Sequence, residues 1–113
     1  MREVLKPIVW LGDSLDRVRA FSQPARQQDG YELETIQHGM EPSDWKPMPT
    51  IGAGVREIRI HASAEHRVFY VARFERSIYV LHAFVKKTPK TPKSAIRLGM
   101  SRYREALRRE GMA

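Results

Sequence analysis

The spacing of apolar residues changes along this chain, from a short run and two helical stretches before residue 40 to alternation after residue 54. Lys6 to Leu11 is a short apolar run that stops at Gly12-Asp13, which predicts a strand handing over to a helix capped by Asp13 or Ser14. Leu15, Val18 and Phe21 then recur at helical spacing. Pro24 is unsuited to a helix interior but suits a first turn, so the Ser22-Gln23 junction separates this helix from a second, Pro24 to about His38. Ala25, Asp29, Leu33 and Ile36 lie near one face of it, Gly30 weakens it slightly, and Gly39 is placed to end it.

Met40 to Gly54 holds three prolines (42, 47 and 49) and two glycines, and reads as an irregular loop that Trp45 anchors to the core. From Val55 the period is two: Ile58, Ile60 and Ala62 alternate with Glu57, Arg59 and His61. After a turn around Ser63-Ala64-Glu65 comes a second strand, His66 to Phe74. After Glu75-Arg76-Ser77 comes a third, Ile78 to Lys87, completing an antiparallel meander. The last two strands are apolar on both parities, so at least one should be central and covered by helices. Thr91 is the expected N-cap of a final helix with Pro92 as its first residue; Ile96, Met100, Tyr103 and Leu107 form its apolar stripe, with Arg97, Arg104 and Arg108 elsewhere. The expected fold class is α+β, a mainly antiparallel β-sheet packed against helices in the order β-α-α-β-β-β-α. A chain of 113 residues is too short for two independent cores, so residues 1–113 are expected to form one domain.

An apolar fraction of 42% and a charged fraction of 29% argue for a folded core rather than disorder. No apolar run approaches the ~18 residues that span a bilayer, and residues 1–7 do not resemble a signal peptide, so no membrane association and a cytoplasmic location are expected. Without cysteine there is no disulfide, thiol nucleophile or Cys-ligated zinc, and histidines 38, 61, 66 and 82 show no metal-ligand spacing; neither metal nor cofactor is expected. The net charge of +7 is uneven. Residues 1–54 carry six Lys/Arg against eight Asp/Glu (−2), and residues 55–113 fourteen against five (+9). Such asymmetry suits a polyanionic partner, although a solvated basic surface produces it too.

Two features rise above that background: Arg59 and Arg67 on neighbouring strands, and Lys86-Lys87-Thr88-Pro89-Lys90-Thr91-Pro92-Lys93, where a strand gives way to a helix. Prolines 89 and 92 limit the positions of the lysines, as a phosphate site requires, but the same run could be a soluble linker. Arg67 could instead bridge to Glu57 or Glu65, and Arg59 could simply face outward. His82 shares strand parity with Lys86 and titrates near neutrality, which makes it a proton-transfer candidate or a half-buried sheet histidine bonded to a neighbour. Glu57 could be a base or could orient Arg59 or Arg67. His61 and His66 are weaker candidates.

The blocks Glu57-Ile58-Arg59, His66-Arg67-Val68-Phe69-Tyr70, Val80-Leu81-His82-Ala83-Phe84 and Lys86 to Pro92 resemble the signature of phage-derived Gp49-like, HigB-type toxins of the RelE/ParE superfamily. The resemblance covers Pro7 to about Arg109. It implies a compact RelE-like fold, the toxin's place in a type II toxin–antitoxin pair, and ribosome-dependent, metal-independent cleavage of messenger RNA by 2′-hydroxyl attack on the adjacent phosphate. It also implies a helix-turn-helix antitoxin as partner, with operator DNA reached only through the antitoxin complex. Arg67 matches the strand arginine of the superfamily's R-[VL]-x-Y block, Arg59 a basic position on the preceding strand, and Lys86 and Lys87 the basic end of the last strand. Lys90, Lys93 and Arg97 would extend the RNA contact. The sequence departs from RelE in having Glu57 where that toxin has lysine, and Tyr103 lies on an apolar stripe. The alternatives are a ParE-like toxin acting on DNA gyrase and a catalytically inactive nucleic-acid-binding phage accessory protein, since fold alone decides nothing.

Overall fold

A computed structural model of the chain describes residues 5–112. Its elements are β1 (Ile8–Trp10), α1 (Ser14–Arg19), α2 (Gln23–Gln37), β2 (Trp45–Pro47), β3 (Val55–Ala62), β4 (Ala64–Val71), β5 (Ile78–Lys86) and α3 (Lys93–Arg109). The strands form one sheet in the order β1-β5-β4-β3-β2, with β1 parallel to β5 and the other pairs antiparallel. The fold class is therefore α+β as expected. Of the three interior strands, β4 and β5 are apolar on both parities because helices cover both faces. Ile58, Val68, Tyr70, Ile78 and Val80 pack with Val18, Phe21, Ala25, Leu33 and Ile36 of the α1/α2 layer. Val55, Phe69, Val71, Tyr79 and Leu81 pack with Ala95, Tyr103 and Ala106 of α3. Helix α3 lies close to the sheet at Gly99, where an added Cβ would sit 3.2 Å from Ile51 and Phe69 side-chain carbons.

Three expectations need correction. The segment 40–54 is not wholly irregular: Trp45–Pro47 pairs with Arg56–Ile58 as an edge strand, a place where Pro47 removes no needed ladder bond. Trp45 is half-buried on that edge rather than set in the core, with the Arg56 guanidinium 3.9 Å above its ring. The N-cap position of α3 is taken by Pro92, whose carbonyl accepts from the Ala95 and Ile96 amides. Thr91 is thereby left outside the helix, free to reach the sheet. The end of α2 follows expectation: Gly39 has φ +82°, and the Gly39 and Met40 amides return to the Ile36 and Thr35 carbonyls.

One irregularity positions the site. The β4/β5 register runs Phe69↔His82 and then Tyr70↔Val80, skipping Leu81. The skip reverses parity, so Tyr79 and Leu81 before it, and His82 and Phe84 after it, all face α3.

Inside α2 the sequence places an acid on the buried face. Asp29 is only 1% exposed and its Oδ1 has no hydrogen-bond partner among the described residues. Burial first, and the neighbouring Glu32 carboxylate second, push its pKa up from 3.8 to about 7. A folded-state pKa raised above the unfolded value favours folding below about pH 4 and loses that contribution as pH rises through about 7. Asp29→Asn should therefore raise the melting temperature at about pH 8, by an amount equivalent to at most a few kcal/mol, and change it little at about pH 4. Equal shifts at both pH values in calorimetric melts would refute the assignment.

Candidate functional site

The α3 face of the sheet carries three rows of side chains set by the strand register. Glu57 of β3 lies beside Phe69 and then His82; Arg59 beside Arg67 and then Phe84; His61 beside Glu65 and then Lys86. Five of the six candidate catalytic residues read from the sequence thus share one face: Glu57, Arg59, Arg67, His82 and Lys86. The sixth, Lys87, stands exposed just past the end of β5.

At the centre is Glu57, 1% exposed. Its Oε1 lies 3.4 Å from Arg59 Nε and 3.7 Å from Arg67 Nε, and its Oε2 accepts from the Thr91 hydroxyl at 3.4 Å. Two arginines directly opposite each other on adjacent strands repel, and the carboxylate between them offsets that repulsion. Arg67 is 7% exposed; its Nη1 donates to the His66 carbonyl at 3.0 Å and its Nη2 to Glu65 Oε1 at 3.1 Å. Both salt bridges considered for Arg67 are therefore formed. Its Nε, though near Glu57, is buried without a hydrogen bond among the described residues. Arg59 is 33% exposed and is the open guanidinium of the pair.

The histidines separate sharply. His82 is buried rather than half-buried: its ring stacks on Phe84 at 5.3 Å and lies 6.3 Å from Phe69. Its Nδ1 has no hydrogen-bond partner among the described residues. Burial, then the Arg102 and Arg17 cations, hold its pKa down at about 4, so the ring is neutral near pH 7 and poorly suited to donate a proton. His66 faces the opposite layer, edge-on to Phe21 at 4.6 Å. His61 is exposed between two carboxylates, with Nε2 2.7 Å from Asp44 Oδ2 and Nδ1 2.8 Å from Glu65 Oε2. Sequence reasoning gave Asp44 no role, because only β3's register brings that loop residue to His61.

Lys90, Lys93 and Arg97 are exposed and Lys86 is half-buried, so the basic stretch continues from the rim of the arginine cluster onto the first turns of α3. Tyr103 is engaged elsewhere, donating to the Ala53 carbonyl and accepting from Arg73, both at 2.9 Å. Thr91, read as a cap, contacts Glu57 instead; the adjacent Pro92, with no amide hydrogen to donate, gave no hint of this. Among the described residues no group of three or more His, Cys, Asp or Glu side chains is placed to hold a metal ion, and no helix is long and apolar enough to cross a membrane. Fixed guanidinium groups flanked by exposed lysines can stabilise charge building on a phosphate.

The contrast between His82 and His61 is measurable. Proton NMR titration should show His82 staying neutral down to about pH 4 and His61 staying protonated above the ordinary 6.5, each identified by its His→Gln variant. Because its folded pKa is depressed, neutral His82 supports folding above about 6.5, and that support fades as pH falls towards 4. A His82 signal that titrates near pH 6.5 would mean an open imidazole and contradict the burial described.

Residues 16–104 match the family model described as Phage derived protein Gp49-like. A search of curated proteins finds no match. The matched span takes in β3, β4, β5, the lysine run and most of α3, and therefore every residue of the cluster. The chain belongs to the phage-derived Gp49-like family, a family of RelE-like toxins.

Proposed function

We infer that the protein is the toxin of a type II toxin–antitoxin pair and acts as a HigB-type endoribonuclease that cuts messenger RNA on the ribosome. The observation that carries this reading is the opposed pair Arg59 and Arg67, held on one carboxylate beside a rim of exposed lysines. In the reaction the RNA 2′-hydroxyl gives up its proton to water as it attacks the neighbouring phosphorus, the bond to the 5′-oxygen breaks and that oxygen takes a proton from water, leaving a 2′,3′-cyclic phosphate and a 5′-hydroxyl end. No metal is required. Negative charge grows on the non-bridging oxygens, where Arg59 and Arg67 can meet it, while Lys86 and Lys87 stand to contact the leaving oxygen or a flanking phosphate. Lys90, Lys93 and Arg97 would hold the RNA on either side.

Glu57 already contacts Arg59, Arg67 and Thr91, which favours holding the arginines over taking a proton. His82 is too buried to reach RNA. The face is thus read as a charge-stabilising one. A helix-turn-helix antitoxin with an acidic or helical segment would mask residues 59–93, operator DNA would be bound only through that complex, and the toxin would work in the cytoplasm.

The test is primer extension on a message translated in a cell-free extract, run beside thermal melts of the same proteins. Lys86→Ala should melt close to the parent and cut roughly 10²–10³ more slowly; Arg59→Ala should cut as slowly while losing some stability with its contact to Glu57, and Lys87→Ala should also be impaired. Arg67→Ala is a poorer probe, because it removes a partner of the buried Glu57 and should cost about 3 kcal/mol of stability. Arg67→Lys keeps the charge but not the fork, so it should fold and still cut poorly. Parental cutting by folded Arg59→Ala and Lys86→Ala would remove this site from the reaction.

A further inference from the structure

If Arg67 is to touch a substrate phosphate, one of its present partners has to leave. Glu57 is 1% exposed and the His66 carbonyl is fixed in the sheet, whereas the Glu65 side chain is 44% exposed. Glu65 Oε1 is shared between Arg67 Nη2 at 3.1 Å and His61 Nδ1 at 2.8 Å, while Oε2 lies 2.8 Å from the same ring nitrogen. We propose that Glu65 is the displaceable counterion of Arg67, occupying its outer edge until an RNA phosphate takes that place, and that His61 is the group that keeps the displaced carboxylate. The proposal rests on the reading of Arg67 as a phosphate contact and adds how that contact is gated.

The geometry of His61 supports the second half. A neutral imidazole has one N–H, yet here both ring nitrogens face carboxylates, Asp44 at 2.7 Å and Glu65 at 2.8 Å, an arrangement that only the imidazolium satisfies. Asp44 first, then Glu65, raises the pKa of His61, and the His61 bond, followed by Arg67, keeps Glu65 ionised. The charged groups near His61 are Asp44 from the loop before β2, Glu65 from β4, Arg59 from its own strand and, beyond Glu65, Arg67 and Lys86. His61, Asp44 and Arg59 also border a cleft of about 440 Å³ whose other polar wall residues, Gln28 and Ser43, are neutral. When His61 is protonated, two cations share Glu65 and Arg67 is more easily released to a phosphate. When it is neutral, Arg67 is the one cation in an ion pair with Glu65 among the described residues, and Glu65 competes harder.

The consequence is RNA binding that strengthens as pH falls through the raised pKa of His61. The probe is a fluorescent single-stranded oligonucleotide with 2′-O-methyl sugars, which lacks the attacking hydroxyl, followed by anisotropy at low salt from about pH 6 to about pH 9. The parent should bind about threefold more tightly at the acid end, the scale of one exposed ion pair. Glu65→Gln should bind about threefold more tightly than the parent at about pH 8 and lose most of the pH dependence. His61→Gln should be flat at the parent's alkaline affinity. Glu75→Gln, in the exposed turn between β4 and β5, makes the same charge change and should produce a smaller gain. The proposal fails if Glu65→Gln gains no more than Glu75→Gln, if the parent's affinity does not change with pH, or if neither binds the probe. Ribosome-dependent cutting is scored separately: tighter Glu65→Gln binding without cutting by any protein keeps the gate and removes the nuclease reading, and the reverse pattern does the opposite.

Discussion

A buried carboxylate is the constraint on which the α3 face of this domain depends. Removing Glu57 from water costs several kcal/mol unless charge and hydrogen bonds meet it, and Arg59 of its own strand, Arg67 of β4 and Thr91 of the β5–α3 connection do so. The dependence is mutual. Arg59 and Arg67 repel from directly opposite positions, a repulsion that the anion between them offsets, and Thr91 ties the entry to α3 to β3 through the same group. Structure and function are accordingly entangled at both arginines, most tightly at Arg67, which is almost fully buried, and less at Arg59, which keeps a third of its side chain in water.

The skipped Leu81 in β5 is the second determinant. With unbroken alternation from Tyr79, residues 83, 85 and 87 would face α3, and Phe84 and Lys86 would turn to the α1/α2 layer. The irregularity instead sends Ala83 to that layer and brings His82 and Phe84 to the arginine side, with Lys86 at the end of the same row. Phe84 then packs edge-to-face on Phe69 at 5.4 Å, and the two rings enclose His82. A basic rim and an apolar floor both follow from one extra residue.

The long periodic segments were legible in the sequence: α2, α3 and a three-strand meander are present, although the middle strand runs Ala64–Val71 rather than His66 to Phe74, so Glu65, read as part of a turn, is a strand residue. A three-residue edge strand with proline inside it has too little pattern to be seen, so β2 was read as loop. The parity skip was equally hidden, because β4 and β5 are apolar on both faces and an unphased pattern cannot reveal a change of phase. That is why His82 could be placed beside Lys86 but not recognised as buried. For Arg67 both possible ion pairs were visible as neighbours in sequence or register, yet only the fold shows that it makes them together. Asp44, His61 and Glu65 form a charge chain across segments whose proximity is set by the register of β3 alone.

The central claim is that cations fixed on a buried carboxylate promote attack by RNA's own hydroxyl. Its most direct test is the chemistry of the ends left on messenger RNA by the purified protein and programmed ribosomes. Attack by the 2′-hydroxyl leaves downstream fragments with 5′-hydroxyl ends, which kinase but not ligase accepts without prior treatment, and upstream fragments ending in 2′,3′-cyclic phosphate, and both should be absent when ribosomes are omitted. Fragments carrying 5′-phosphates, or no ribosome-dependent fragments at all, would contradict it.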